Sequence, residues 1–207
     1  CYTNQRPVTI RRQTLIINTF TYPDKLQVLL VDNFFPDDLI EELLTMCDTS
    51  ETHAQDWQYA DWTNLRKIHK GNTDTFKKLE SILRDPRFLQ PMQVHLQEQG
   101  KGPLRMEFVQ CNLWADYPGF GPLLAHQENA GQAQGQIFLT RELHKTNGTS
   151  MLNNNKELLF TLPYRNNYGW VMQDCQKTMH SREFDVVPNT VRYSLIFWHN
   201  YIDQEHL

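Results

Sequence analysis

Apolar positions along the chain follow two rhythms, and the change comes near Leu104. "LQVLLVDNFF", residues 26–35, is a Val- and Leu-rich run that predicts a strand ending at a boundary. Pro36 suits the first turn of a helix, and Asp37 and Asp38 complement its positive end. Leu39, Ile40, Leu43, Leu44 and Cys47 then recur at helical spacing. A second helix is predicted over 72–84, with Phe76, Leu79, Ile82 and Leu83 inward and Pro86 ending it. The stretch between them, "WQYADWTNLRK" at 57–67, has no clear period and is read as irregular. Its Trp57, Tyr59 and Trp62 either pack under a loop or form a lid over a site.

Beyond Leu104 short β-like runs take over: "LRMEFVQCNLWA", "GQIFLT", "TSML", "ELLFTLP", "GWVMQ" and "VRYSLIFWH". Turn-rich pieces such as "YPGFGP", "TNGT" and "YRNNYG" separate them, and Tyr164 and Asn166 are read as turn residues. Two helices followed by many short strands predict a mainly β protein with flanking α, a sandwich or barrel with helices on one outer face. One domain over 1–207 is expected, with helical support at about 36–90 and a β core at about 104–201.

Composition narrows the class. The 207 residues are 40% hydrophobic and 12% aromatic, enough for a substantial core and against disorder. A net charge of −4 argues against bulk nucleic-acid or acidic-membrane binding, although Arg11 and Arg12 make a small basic patch. Cys1, Cys47, Cys111 and Cys175 are widely spaced, which fits reduced thiols and a cytoplasmic location better than a disulfide framework. Asn147-Gly148-Thr149 matches a glycosylation triplet, but with no secretory apolar stretch it is read as a chance match. No apolar run approaches the roughly 20 residues of a membrane helix, so no membrane partner is expected. The chain does not begin with Met, and its natural start is expected to lie upstream.

The candidate chemistry begins in "GPLLAHQENAGQ", residues 121–132, where His126 and Glu128 stand two apart. On an extended segment such residues point to one face. Alone, the pair fits two solvated side chains as well as two metal ligands. His180 offers a third ligand, and twelve residues after it come Arg192 and Ser194, again two apart. On "RYSLIFW" Arg192, Ser194 and Ile196 share one face, and Tyr193, Leu195 and Phe197 the other. A cation in the middle of an apolar strand needs a counter-charge, which a carboxylate ligand would supply.

With these residues the chain resembles the Fe(II)- and 2-oxoglutarate-dependent oxygenases, in particular small prolyl-hydroxylase-like microbial or phage members. His126, Glu128 and His180 match the His-x-Asp/Glu…His triad, and Arg192-Tyr193-Ser194 matches the Arg-x-Ser motif. "VLLVDNFFPDDLIEELL" resembles the strand–helix opening of such proteins, and the likeness runs over about residues 26–201. The implied fold is a double-stranded β-helix, a cupin-like jelly roll. The implied cofactors are Fe(II) at His126, Glu128 and His180, 2-oxoglutarate at Arg192 and Ser194, and O₂. Two imidazoles and one carboxylate on one face of an octahedron leave three open positions for them. Most members carry Asp where this chain has Glu128. Asn112, Trp114 and Gln136 are expected to border the co-substrate or the substrate. The implied reaction is hydroxylation of a C–H bond in a small molecule or a peptide side chain. Alternatives are a jelly-roll binding or structural protein that has lost turnover, and a cupin-type metal enzyme that does not use 2-oxoglutarate. His53, His69, His95 and His144 have no partner at ligand spacing, and His199 and His206 are read as surface residues.

Overall fold

The computed structural model describes residues 4–10, 13–21, 27–86, 89–90, 93, 104–121, 123–126, 132–143, 147–153, 155–172, 179–182, 186 and 188–203. Three strands lead the chain: β1 (Asn4–Ile10), β2 (Gln13–Thr21) and β3 (Gln27–Asp32). Helix α1 (Asp37–Asp48), strands β4 (Trp57–Ala60) and β5 (Thr63–His69), and helix α2 (Asp74–Leu83) follow. The remaining strands are β6 (Leu104–Asp116), β7 (Leu123–His126), β8 (Gln132–Leu139), β9 (Ser150–Leu152), β10 (Leu158–Thr161), β11 (Tyr168–Met172), β12 (Met179–Arg182) and β13 (Arg192–Asp203).

Among the described residues, nine strands form one sheet in the order β1-β2-β3-β11-β8-β13-β6-β5-β4, and four form another, β10-β9-β12-β7. From β6 onward the chain crosses repeatedly between the two sheets, so the eight strands β6 to β13 wind into a double-stranded β-helix. Every strand pairing is antiparallel. The mainly β architecture with supporting helices is the one the sequence predicts.

Period-two alternation divides the large sheet into two working faces. Leu195 and Phe197 of β13, Ile137 and Leu139 of β8, and Leu113 and Ala115 of β6 face the helices. There they meet Leu39, Ile40, Leu43, Leu44 and Cys47 of α1 and Phe76, Leu79 and Leu83 of α2. A buried Leu of this kind contributes about 1.5–3 kcal/mol. Thr73 caps α2 by accepting the Phe76 amide at 3.4 Å. The opposite face, with Phe138, Trp170, Met172 and Leu30, packs against Met151 and Leu162 to make a smaller core between the sheets. Two glycines permit close approach. A Cβ on Gly135 would meet the Phe197 ring at 2.1 Å, and one on Gly169 would meet the Gln136 carbonyl oxygen at 1.8 Å.

Several expectations change. Residues 57–67 belong to the β4–β5 hairpin. Its alternation is hidden because Trp57 is buried while Tyr59 and Trp62 are exposed, and the register shifts between Tyr59 and Ala60. Tyr164 is 1% exposed, donates its hydroxyl to the Leu139 carbonyl at 2.7 Å and accepts the Tyr193 amide at 2.7 Å, so it ties strands together. Asn166 keeps a turn role, accepting the Thr140 amide. His199 is not on the surface, because β13 continues past it. The imidazole is 1% exposed, lies against Phe108 and Phe197, and donates from Nε2 to the Leu83 carbonyl at 2.9 Å. His206 lies outside the described residues, as do His95 and His144. Cys47 and Cys111 are free and buried, and burial pushes the Cys111 thiol up to about 12. They are packing residues rather than nucleophiles.

Burial also holds the imidazoles of His69 and His199 below their usual range. Both stay neutral in the fold, while the unfolded chain takes up protons below about pH 6.5. Their contribution is therefore present above that pH and is lost as the pH falls toward the folded values. Urea denaturation at about pH 7.5 and about pH 5.5 checks this. The midpoint is expected to be lower in acid, and His199→Gln to lessen the drop.

Candidate active site

Between the two sheets lies a cavity of about 290 Å³, whose wall includes His126, His180, Arg66, Arg182 and Arg192. The imidazoles meet because β7 and β12 are paired with His126 and His180 as direct partners. Their ring centroids are 4.2 Å apart at 54°. The His126 Nδ1 lies 2.8 Å from the Leu124 carbonyl, to which it donates. That bond keeps the proton on Nδ1, so in the neutral ring Nε2 carries the lone pair a metal would use. His180 is 7% exposed, with the Trp170 ring centroid 5.2 Å away. Glu128 lies outside the described residues. Among the described residues no group of three His, Cys, Asp or Glu side chains could hold a metal ion. The two histidines that are described form an adjacent imidazole pair facing one cavity, which fits two neighbouring positions on a metal.

Arg192 has a counter-charge inside the protein that the sequence reading did not anticipate. Register makes Arg192 and Arg66 the two cross-strand neighbours of Asp116, on β13, β6 and β5. Arg66 donates from Nε and Nη2 to Asp116 at 2.5 and 3.0 Å. Arg192 Nη1 donates to Asp116 Oδ2 at 3.1 Å, and Arg182 Nη1 reaches the same oxygen from the small sheet, also at 3.1 Å. Arg192 further donates from Nε to the Asn147 carbonyl and from Nη2 to the Thr149 hydroxyl. Arg182 clamps the chain ahead of β7 through the Phe120 and Gly121 carbonyls. Asp116 has no exposure, and the three arginines are each 2–3% exposed. Among the described residues, three guanidinium groups against one carboxylate leave two positive charges in excess. Burial, and then repulsion from Arg192, lower the Arg182 guanidinium to about 10 against the pull of Asp116. Burial also lowers that of Arg192.

The softer candidates divide. Gln136 lines the cavity, accepts from Thr149 Oγ1 at 2.7 Å and from Trp170 Nε1 at 3.2 Å, and donates to the Ser194 hydroxyl at 3.2 Å. Ser194 is fully buried on the same face of β13 as Arg192. Trp114 lines the cavity, and its buried Nε1 makes no hydrogen bond among the described residues. Asn112, opposite Ile196, is not part of the cavity wall. Trp62 lines the cavity and is 63% exposed, whereas Trp57 packs in the helix-side core. The sequence reading missed Asp116, Arg66, Arg182 and Thr149. Asp116 stands two residues beyond Trp114, and Arg182 two beyond His180, so alternation alone would have put both on the site faces.

The fold is the double-stranded β-helix, shared with solved prolyl hydroxylases and other 2-oxoglutarate-dependent oxygenases. A Pseudomonas putida prolyl-4-hydroxylase superposes with a TM-score of 0.62 at 13% identity, over 86% of this chain and 94% of that one. A Trichoplax adhaerens prolyl hydroxylase, solved with a peptide fragment of the hypoxia inducible factor oxygen degradation domain, gives 0.57 at 12% identity, over 84% and 83%. HygX from Streptomyces hygroscopicus, solved with nickel, 2-oxoglutarate and hygromycin B, gives 0.58 at 10% identity, over 86% and 84%. No protein-family model and no curated protein matches the sequence.

Asp116 is expected to matter more to stability than any one of its partners. Asp116→Asn leaves three buried cations without a counter-charge, and urea denaturation is expected to show a loss of about 3–5 kcal/mol. Arg66→Gln leaves Asp116 with two guanidinium partners and should cost less. Equal losses would show that the carboxylate is not the hub.

Proposed function

We propose that the protein is an Fe(II)- and 2-oxoglutarate-dependent dioxygenase that hydroxylates a C–H bond of a small molecule or a peptide side chain. The overall reaction consumes the substrate, 2-oxoglutarate and O₂ and yields the alcohol, succinate and CO₂. The observation that carries this reading is the His126–His180 pair, which opens into the same cavity as a buried arginine at the start of β13. HygX, solved with nickel and 2-oxoglutarate, and the prolyl hydroxylases named above support the reaction class through their shared fold.

In this reading His126, His180 and Glu128 hold the metal. Bound there, Fe(II) supplies the O₂-activating chemistry, with 2-oxoglutarate as the electron source. Arg192 pairs with the distal carboxylate of 2-oxoglutarate. Three of its five N–H groups are engaged by Asn147, Asp116 and Thr149, which leaves one on each terminal nitrogen for the ligand. Ser194, which accepts from Gln136, keeps its own proton to donate to the same carboxylate. Thr149 and Asn147 hold the guanidinium in place, and Trp170 and Gln136 limit the movement of His180 and of the co-substrate. The two cores exclude water from either side of the sheet.

Anaerobic addition of Fe(II) and 2-oxoglutarate tests metal and co-substrate together. A visible metal-to-ligand charge-transfer band is expected. His180→Ala should remove the band and iron-dependent oxidation while leaving the fold intact. Arg192→Ala should keep Fe(II) binding but weaken 2-oxoglutarate by about 30- to several-thousand-fold, since the carboxylate loses its counter-charge at roughly 2–5 kcal/mol. Normal 2-oxoglutarate affinity in that variant would remove the co-substrate from the reading.

Glu128 is tested by a matched pair. Glu128→Asp is expected to keep or raise turnover, because the carboxylate charge is what the metal needs. Glu128→Ala is expected to lose it. Unchanged Fe(II) affinity and turnover in the Ala variant would show that Glu128 is not a ligand.

A further inference from the structure

The cavity holds more positive charge than one co-substrate carboxylate uses. Among the described residues, Arg66, Arg182 and Arg192 face it with only Asp116 among them, an excess of two. If the distal carboxylate of 2-oxoglutarate neutralises one at Arg192, the other remains on Arg66 and Arg182. Those two arginines also retain unused donors. Arg66 gives Nε and Nη2 to Asp116, and its Nη1 makes no hydrogen bond among the described residues. Arg182 gives both terminal nitrogens away, but its buried Nε has no partner among the described residues. Trp114 Nε1, on the same wall, is a third buried donor without a partner among the described residues. Buried N–H donors beside uncompensated guanidinium groups call for an acceptor, and an oxyanion is the acceptor with the right charge.

Arg66 stands at a different end of the cavity from Arg192, and Arg182 lies between them, sharing Asp116 Oδ2 with Arg192. Arg192 lies beside the rings of Phe138 and Tyr164, at 5.3 and 5.9 Å, within the core between the sheets. Arg66 lies beside Trp62, Trp114 and Phe120, at 5.5, 4.0 and 4.5 Å. Their strands are separated by β6, so their backbones stand about 9–10 Å apart. Asp116 sits between the two guanidinium groups, and one carboxylate ligand does not serve both. Trp62 is well exposed, which puts the Arg66 end at the mouth. There the exposed Trp62 ring, packed on Phe120 with centroids 5.6 Å apart and tilted by 48°, offers an apolar face beside the charge.

We propose that Arg66, Arg182 and Trp114 form a second oxyanion site at the cavity mouth, under Trp62, and that the substrate is a small acid held there by its carboxylate or phosphate group. The assignment of a second site rests on the proposed use of Arg192 for 2-oxoglutarate. It deepens that reading from any small molecule or peptide side chain to an anionic one. Arg66 sets the specificity, and Trp62 covers the apolar part of the bound acid.

Calorimetry on protein loaded with Mn(II) and saturated with 2-oxoglutarate tests it, with benzoate, phenyl phosphate and neutral benzamide as probes. At least one anion is expected to bind about ten-fold or more tightly than benzamide, and the preferred anion tells carboxylate from phosphate. Arg66→Gln should weaken that anion by about ten-fold or more and change 2-oxoglutarate affinity by less than about three-fold. Trp62→Ala, at a position 63% exposed, should also weaken the anion and spare 2-oxoglutarate. The proposal is overturned if benzamide binds as well as the anions, if neither anion binds the saturated protein, or if Arg66→Gln weakens 2-oxoglutarate as much as the probe. Failure of the dioxygenase reading looks different. The wild-type protein would then take no 2-oxoglutarate, and an Arg66-dependent anion would still mark the mouth site.

Discussion

One buried carboxylate, Asp116, holds three guanidinium groups at the heart of the molecule, and much of the architecture follows from that imbalance. Three strands of the large sheet bring Arg192, Asp116 and Arg66 side by side, and Arg182 arrives from the opposite sheet. Without the carboxylate the four strands would carry only mutually repelling cations at their meeting point. With it they form a polar cluster that apolar side chains cannot fill. The cavity persists because the residues lining that end are long, charged and tied to one another. Arg182 extends the same constraint to the loop before β7 through the Phe120 and Gly121 carbonyls, and so helps set where His126 begins.

The packing on either side keeps this cluster from relaxing. On the helix side, α1 and α2 lock β6, β8 and β13 from behind through a continuous apolar layer. On the cavity side, Phe138, Trp170 and Tyr164 form a smaller core that ends where the polar residues begin. Gly135 and Gly169 sharpen the placement, because the first lets Phe197 and the second lets the Gln136 backbone come close. Gln136 is thereby held between Thr149, Trp170 and Ser194, beside both the histidines and the arginines. Site residues carried on paired strands with supporting hydrogen bonds are held more rigidly than residues on loops.

The sequence makes one half of this site legible and hides the other. Alternation along β13 separates Arg192, Ser194 and Ile196 from the helix-facing residues, and the structure keeps that separation. The spacing of His126 and the later His180 makes them candidates, and the β7–β12 register brings them together. The ion cluster is different in kind. Asp116 and Arg66 lie fifty positions apart, and their meeting depends on cross-strand register, which no local period encodes. Arg66 was further concealed because β5 has Arg66 and Lys67 buried in succession, which breaks the apolar–polar rhythm of a strand. His199 and Tyr164 were misjudged for a related reason. Each is polar in type yet buried with its polar atom satisfied inside, His199 by the Leu83 carbonyl and Tyr164 by the Leu139 carbonyl and the Tyr193 amide.

An excess of buried cations opposes folding, and natural chains keep such groups where function requires them. Here the excess faces the cavity, while the apolar cores on both sides carry the stability. An anion that binds the folded protein and not the unfolded chain adds RT ln(1 + [L]/Kd) to the folding free energy, about 2.7 kcal/mol at a hundred times Kd. The term has the right sign to offset the repulsion among Arg66, Arg182 and Arg192. Folding and anion binding are therefore coupled through the same carboxylate. Asp116 compensates enough charge for the empty fold to form and leaves enough uncompensated for an acidic ligand to be drawn in. A second internal carboxylate at this position would steady the fold and abolish that attraction. A missing one would strengthen the attraction and weaken the fold by about 3–5 kcal/mol, the cost of a lost counter-charge.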